Sequence, residues 1–431
     1  MLVRAPAGLS SLTTRCMRWS MPWQAPPPAK QSCSPDLTSS LSSSTSTGPH
    51  VPAANSGCRC CICWSTRVLK SSQVTAKECL ASEVGLFSRR RPVDDLPARI
   101  AGFWLWWEQS GRSQAERTIT GDLTAEDFAE NMTRSLHAVG DLSWELAPGK
   151  VTKHLLVITP EGQAPKRALA RRMIAAAPAA DQSWSFTDTR PPVGDPESVT
   201  LGVEDAPEVR FADVSVSARR VGARFDVSVH HPEFASLPHE ARQTITMLAL
   251  DAALGEIATE LWVGDIKVSD VPPLDGFGLS ALRSVITDHA ASWTNADGAP
   301  GWVMLEGETP QGPVLATAQV PLHPATAPTF ETHVALTLPY AYRTERGYPA
   351  EESLEALRAA EDRLSAALGP NGRLVAHQSC AGQRTLHYYV DNTVPGVLDL
   401  IREVARSWGE GRASVIDTPD PAWNSTAHLR Q

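Results

Sequence analysis

The sequence predicts an α+β fold with two domains, each an antiparallel or mixed sheet with helices on one face. Apolar periodicity is absent before about Val84 and continues from about Ile100 to the end of the chain. In that second part, short strand patterns joined by tight turns alternate with single helices, which is typical of sheets covered on one side. A content of 42% apolar and 20% charged residues is that of a globular protein. We expect one domain at residues 96–293 and another at residues 294–431.

Residues 1–95 differ from the rest in composition. They contain seven of the eight cysteines, and their 11 Lys and Arg against 5 Asp and Glu give +6, whereas residues 96–431 carry 28 against 43, or −15. Cys60 and Cys63 form one CxxC pair, but a zinc site usually draws on two such pairs and no second pair follows. We interpret residues 1–95 as a mis-assigned N-terminal segment, with a disordered native tail as the alternative.

Charge and hydropathy argue against two classes of partner, nucleic acid and membrane. Residues 294–431 hold 10 Arg and no Lys against 16 Asp and Glu, a balance that disfavours binding to nucleic-acid phosphates. No stretch approaches the roughly 18 uninterrupted apolar residues of a membrane helix. After residue 95 the chain keeps a single cysteine, Cys380, as expected in a reducing compartment. We therefore predict an acidic, soluble, cytoplasmic protein that uses no cofactor.

Residues 96–293 carry the order strand, strand, helix, strand twice. In the first copy, a helix capped by Thr124 precedes elements at residues 142–146, 155–158, 165–174 and 184–186. In the second copy, a hairpin turning at Gly222 precedes a helix capped by Ser236, an extended stretch at residues 261–268 and a closing helix at residues 279–286. The recurrence is one of pattern and not of amino-acid identity.

Four basic residues lie on one flank of the helix predicted at residues 165–174. They are Lys166, Arg167, Arg171 and Arg172. A patch that binds phosphate is one interpretation of this spacing. We favour a solvated face opposite the apolar residues of the same helix.

The C-terminal domain shows a complete strand and helix order. A hairpin is predicted at residues 302–306 and 314–320, and from residue 332 the order becomes βαββαβ. That order predicts a ferredoxin-like arrangement with an added hairpin, in which the first strand lies beside the third and the third beside the second.

Part of this domain resembles an uncharacterised family, catalogued as domain of unknown function 695, over roughly residues 300–425. The resemblance rests on Phe330-x-x-His333-Val334, the helix at residues 354–368 with Glu361-Asp362, Gly382-Gln383-Arg384 followed by Tyr388-Tyr389, and Asp420-Pro421-Ala422-Trp423. Such domains occur beside modules similar to the regulator that inhibits a bacterial ribonuclease, so the resemblance implies a regulatory or protein-binding role. The resemblance implies no catalytic residues in this sequence.

Histidines on the predicted sheet are the candidate site. By the period of two in a strand, His333, His377 and His387 point away from the helices, as does Tyr389. Three histidines can hold zinc with an open fourth position. The alternatives are that the added hairpin or a partner covers this face, or that Cys380 acts as a nucleophile with His377 or His387 as its base.

Two classes of function remain open on these observations. The first is a non-enzymatic binding or regulatory protein, whose acidic C-terminal domain binds a basic protein partner through His333, His387 and Tyr389 on the open sheet face. The second is a hydrolase or a metal-dependent enzyme that uses the same face. We favour the first because the sequence contains no catalytic motif of comparable strength.

Overall fold

The computed structural model describes residues 4–5, 18–20, 95–202, 208–296 and 298–430. Most of the predicted N-terminal segment, including Cys60 and Cys63, lies outside the described residues. Two short strands belong to it, β1 (Arg4–Ala5) and β2 (Arg18–Ser20), and each pairs with a strand from residues 96–293. The described residues form a mixed α+β fold with several sheets, as predicted. None of their helices is both long enough and apolar enough to cross a membrane.

The first layer of the fold follows the predicted order closely. Its elements are α1 (Leu96–Trp106), a π-helical turn (Trp107–Gly111), α2 (Arg112–Thr120), α3 (Ala125–His137), β3 (Ser143–Pro148), β4 (His154–Thr159), α4 (Ala164–Ala175) and β5 (Trp184–Thr187). The sheet order is β1-β3-β4-β5, with β4 and β5 parallel. The predicted cap of α3 is confirmed, because the Thr124 hydroxyl accepts a hydrogen bond from the Asp127 amide at 3.2 Å.

The second layer departs from the prediction at one helix. Its elements are β6 (Thr200–Gly202), β7 (Val209–Arg210), β8 (Ser215–Val221), β9 (Arg224–His230), α5 (His239–Leu254), α6 (Glu256–Trp262), β10 (Val263–Ser269) and α7 (Leu279–Ser292). We predicted an extended chain from residue 261, but α6 continues to Trp262. Its buried side carries Glu256 and Thr259 as well as Trp262, so polar residues interrupt the apolar pattern that marks a helix. Ser236 precedes α5 without capping it.

Among the described residues, six strands form the C-terminal sheet. Its elements are β11 (Gly301–Thr309), β12 (Gly312–Val320), β13 (Thr332–Pro339), α8 (Glu351–Leu368), β14 (Gly372–Cys380), β15 (Gln383–Val390), α9 (Val397–Arg406) and β16 (Ser414–Pro419). The strand order is β11-β12-β14-β15-β13-β16, and every neighbouring pair is antiparallel. The chain order from β13 onward is strand, helix, strand, strand, helix, strand.

The two faces of this sheet are covered by different parts of the chain. Helices α8 and α9 pack on one side, which we term the helix face, against a cluster that includes Val334, Leu336 and Tyr388. The other side, the opposite face, packs against residues 322–330 and against residues 420–430, which we term the C-terminal segment. We expected the opposite face to be open. Trp423 and Leu429 of the C-terminal segment are buried on it, so in this structure the segment covers the face around Tyr389, and a cleft remains beside Cys380.

Candidate functional site

The three predicted histidines do not share one face of the sheet. The pairing of β14 with β15 passes from Leu374 opposite Tyr388 to Ala376 opposite His387, so Val375 is an extra residue in a β-bulge. Beyond a bulge the alternation of side chains is reversed. His377 therefore lies on the helix face, where its Nδ1 is 3.2 Å from Glu361 Oε1 of α8. The expectation that it points away from the helices was wrong.

His333 and His387 do meet on the opposite face. Nε2 of His333 lies 3.0 Å from Nδ1 of His387, and the two rings stack with centroids 5.3 Å apart. Burial lowers the pKa of His387 to about 3, with nearby histidines adding to the effect, and burial also lowers the pKa of His333. Both rings are therefore neutral at pH 7, and in this contact the N–H of one ring donates to the unprotonated nitrogen of the other. Within the described ranges, no group of three or more His, Cys, Asp or Glu side chains is arranged to hold a metal ion.

Tyr389 belongs to a clamp that holds the C-terminal segment on the opposite face. Its hydroxyl donates a hydrogen bond to Asp420 Oδ2 at 2.7 Å, and the ring of Trp423 stacks on its ring at 4.2 Å. Asp420 also accepts hydrogen bonds from the backbone amides of Asn424 and Ser425, each at 2.8 Å. The indole N–H of Trp423 donates to the Phe330 carbonyl at 2.9 Å. We term Tyr389, Asp420 and Trp423 the clamp.

The clamp changes the pKa values of its two ionisable members in opposite directions. Burial, and then the nearby Asp420, raise the pKa of Tyr389 well above its ordinary value. Burial works against ionisation of Asp420 as well, but hydrogen bonds from the Ser425 amide and from Tyr389 outweigh it and lower the pKa of Asp420. At neutral pH the clamp is thus a neutral phenol that donates to a carboxylate, a charge-assisted hydrogen bond.

The residues predicted to contact a partner are buried in this structure. His333, His387 and Tyr389 are 6%, 5% and 0% exposed, because the C-terminal segment and residues 322–330 lie over them. The covers expected from the sequence were the added hairpin or a partner. The apolar residues Trp423 and Leu429 near the end of the chain were the sequence signal for the actual cover, since large apolar side chains require a surface on which to pack.

Cys380 is not placed beside either predicted base. Its Sγ lies 3.4 Å from the Thr309 hydroxyl, and it lines a cleft of about 360 Å³ on the opposite face. His377 is on the other face, as described above. Cys380 lies opposite Gln383, so His387 is four residues further along β15, or roughly 13 Å at the rise of a strand. The structure does not bring together the nucleophile and base of the predicted hydrolase.

One surface of the sheet that the sequence did not single out is exposed. β11 is the first strand of the sheet, and in the part of the chain that the structure describes no strand pairs with its outer edge. Met304 lies opposite Thr317, and Thr317 lies opposite His377, so alternate residues of β11 point to the helix face beyond the reach of the helices. Trp302 and Met304 are 42% and 67% exposed. Which strand lies at the edge of a sheet is decided by pairing between distant parts of the chain, and for that reason the sequence did not identify β11 as an edge strand.

The sequence match to known proteins falls on the clamp and the sheet around it. Residues 314–427 match the model of DUF695, a family of unknown function. The predicted resemblance is thereby confirmed. The DUF695 match runs from within β12 to the C-terminal segment, so it includes Tyr389, Asp420 and Trp423 and excludes β11. No curated protein and no solved structure matches the chain.

Proposed function

We propose that this is a non-enzymatic binding protein whose C-terminal part takes up an extended, basic segment of a partner protein along the outer edge of β11. The observation that carries the proposal is the exposed edge of β11, where Trp302 and Met304 stand beside Glu306 and Glu308 on one face. The regulatory role implied by the resemblance would follow from such binding.

An unpaired strand edge provides main-chain binding groups. It presents a row of backbone N–H and C=O groups, and an extended peptide can pair with them as an additional strand. Pockets or side chains along the edge then select the sequence of the peptide. On β11, the exposed apolar surface of Trp302 and Met304 would bury alternate side chains of the bound strand.

The charge of the edge indicates a basic occupant. Glu306 and Glu308 are exposed on the same face of β11. The surrounding residues 294–431 have an excess of 6 negative charges, with 10 Arg and no Lys against 16 Asp and Glu. Such a field accelerates encounters with cationic partners and disfavours acidic ones.

We assign the predicted residues His333, His387 and Tyr389 an indirect part in this binding. They are buried, so we propose that they hold the opposite face of the sheet closed while β11 makes the contact. The alternative of a hydrolase or a metal-dependent enzyme is less well supported, because Cys380, His377 and His387 lie apart as described above.

The proposal includes the finer architecture. We propose that residues 294–431 form a ferredoxin-like domain with an added hairpin, that residues 96–293 form the other domain, and that the protein is cytoplasmic. The pairing of β15 with both β13 and β14 supports the first point. Expressed alone, residues 294–431 should unfold cooperatively in urea, and a gradual transition would contradict an autonomous domain.

Fluorescence anisotropy with two labelled heptapeptides tests the binding. We expect the full chain to bind a peptide of alternating lysine and valine and not a peptide of alternating glutamate and valine. The double variant Glu306→Gln, Glu308→Gln should bind the lysine peptide about threefold to tenfold more weakly, as expected for two exposed ion pairs.

A matched control distinguishes a local effect of Glu306 and Glu308 from an effect of the net charge of the protein. Glu351 and Glu352 are exposed at the start of α8, and the variant Glu351→Gln, Glu352→Gln changes the net charge by the same amount. This variant should bind the lysine peptide like the unaltered chain. An equal loss in both double variants, or equal binding of the two peptides, would refute binding at β11.

A further inference from the structure

The main-chain groups of β11 point alternately towards β12 and away from it. In an antiparallel pair, residues that exchange both N–H···O=C bonds alternate with residues whose N–H and C=O groups point away from the partner strand. A two-residue turn joins β11 to β12, and such a turn closes on a hydrogen-bonded pair, here Thr309 and Gly312. The next pair is Glu308 with Pro313, which has no N–H and so cannot exchange both bonds.

Alternate residues of β11 therefore present their main-chain groups to the outer edge of the sheet. They are Trp302, Met304, Glu306 and Glu308. The next positions in the same alternation are Pro300 and Pro310, which have no N–H, so the row of outward donors ends before them. From residue 302 to residue 308 the strand rises about 20 Å, which is the length of a peptide of about seven residues.

The side chains of these outward residues divide the edge into two halves of different chemistry. All four point to the same face of the sheet and are exposed. Trp302 and Met304 give the first half an apolar surface, whereas Glu306 and Glu308 give the second half two carboxylates. Because its two ends differ, the edge can distinguish the two directions in which a strand could be added.

A second copy of β11 does not match this edge. If two copies paired antiparallel about Leu305, so that the edges overlapped fully, Glu308 of one would lie opposite Trp302 of the other. Glu306 would likewise lie opposite Met304. A carboxylate opposite an apolar side chain gains neither an ion pair nor apolar contact. The edge therefore favours a different chain, with basic residues opposite its acidic half.

We propose that the partner segment runs antiparallel to β11 and carries two basic and then two apolar residues at alternate positions. This inference rests on the proposed binding at β11 and adds the direction and the sequence of the bound strand. Directly opposite residues share a face of the sheet, so the basic pair lies across from Glu308 and Glu306. The apolar pair then lies across from Met304 and Trp302. Antiparallel pairing is slightly more stable than parallel pairing, and every neighbouring pair in this sheet uses it.

Two heptapeptides of identical composition test the direction by isothermal titration calorimetry with the full chain. Both are acetylated and amidated at their ends, with serine at the even positions. One has lysine at positions 1 and 3 and valine at positions 5 and 7, and the other has the reverse order. We expect the first peptide to bind about fivefold to tenfold more tightly, because the reversed peptide loses two ion pairs in antiparallel pairing. Equal affinity, or tighter binding of the reversed peptide, would overturn the inference and leave the proposed function standing, whereas no binding of either would refute both.

A methyl group on the main chain of the first peptide tests the pairing itself. In the bound strand, the N–H groups of the odd positions point to β11 and those of the even positions point away from it. N-methylation at position 3 should therefore weaken binding at least about tenfold, because it removes a donor and places a methyl group between the strands. N-methylation at position 4 should change the affinity by less than about twofold. Equal losses from the two methyl groups would overturn the proposed strand pairing.

A charge-reversed variant tests where the basic pair lies. Glu306→Lys, Glu308→Lys should prefer a heptapeptide with glutamate at positions 1 and 3 and valine at positions 5 and 7 over the corresponding lysine peptide. The control Glu351→Lys, Glu352→Lys changes the net charge by the same amount at the start of α8 and should still prefer the lysine peptide. If both variants select the glutamate peptide, or neither does, the basic pair does not lie across from Glu306 and Glu308 and the inference is wrong.

Discussion

Replacing Trp423 by alanine should detach the C-terminal segment from the sheet. Trp423 is 1% exposed, its ring stacks on Tyr389 at an interplanar angle of 16°, and its indole N–H is bonded to the Phe330 carbonyl. The alanine variant would lose the buried ring, leave a cavity and remove the donor for a buried carbonyl.

The expected cost is about 3–5 kcal/mol, the range for a tryptophan or phenylalanine truncated to alanine in a core. The lost indole hydrogen bond favours the upper half of this range, because the Phe330 carbonyl would be left buried without its donor. Asn424 and Ser425 donate their amides to Asp420 in the same segment, so their protection from hydrogen exchange reports on its opening. A cost of about 3 kcal/mol would accelerate their exchange by more than about 100-fold.

Hydrogen exchange followed by mass spectrometry on the full chain measures this opening. Trp302→Ala is the matched control, because Trp302 lies in the same sheet but is 42% exposed, and its loss should cost about 1 kcal/mol or less. Exchange of residues 420–430 should accelerate in Trp423→Ala and not in Trp302→Ala. Equal exchange in the two variants would show that the clamp does not hold the C-terminal segment.

Three further predictions concern the clamp and the ion pairs of Arg190. The pKa of Asp420 lies below its ordinary value of 3.8, so the ionised carboxylate stabilises the fold fully above about pH 4, and this effect is lost as pH falls through the folded-state pKa. The free energy of unfolding in urea should therefore vary less between pH 5 and pH 2 for Asp420→Asn than for the unaltered chain. Tyr389→Phe removes the donor to a buried carboxylate and should cost about 1.5–3 kcal/mol in the same assay, and no loss would indicate that water replaces the hydroxyl. Arg190→Met removes the guanidinium that faces Glu145, Glu161, Asp251 and Glu256 and should cost about 3–5 kcal/mol at pH 8. Burial raises the pKa of Asp251 to about 7, so part of the loss should be recovered at pH 5, where Asp251 is protonated, and a loss independent of pH would indicate a packing effect.

Features with a local cause were predicted well from the sequence. The Thr124 cap depends on residues three positions apart, and the hairpin at Gly222 depends on one residue with positive φ, here 61°. In α9 the buried residues Val397, Ile401 and Val404 repeat at helical spacing, so the helix and its buried side follow from the pattern alone. Each of these signals is contained within a few residues of the chain.

Features that depend on distant parts of the chain were not predictable in the same way. His377 was placed on the wrong face because one extra residue, Val375, reverses the alternation of β14, and nothing in the local pattern marks it. Arg167 was expected on a solvated face but is 3% exposed and is paired with Glu260 of α6. That helix was itself predicted as extended, so its carboxylate had no predicted position. Arg172 likewise forms ion pairs with Glu331, just before β13, and with Asp391, just after β15.

The residues that carry the family resemblance act together in this structure. Trp423 donates to the carbonyl of Phe330 and stacks on Tyr389, and Tyr389 donates to Asp420. Residues from the beginning, middle and end of the DUF695 match thus hold the C-terminal segment against the opposite face of the sheet. Packing and hydrogen bonding therefore account for the presence of these side chains. No bound ligand is needed to account for residues that have a packing role. Binding is therefore better sought on surfaces that this closure leaves exposed, and the edge of β11 lies on the same sheet with Trp302 and Met304 exposed.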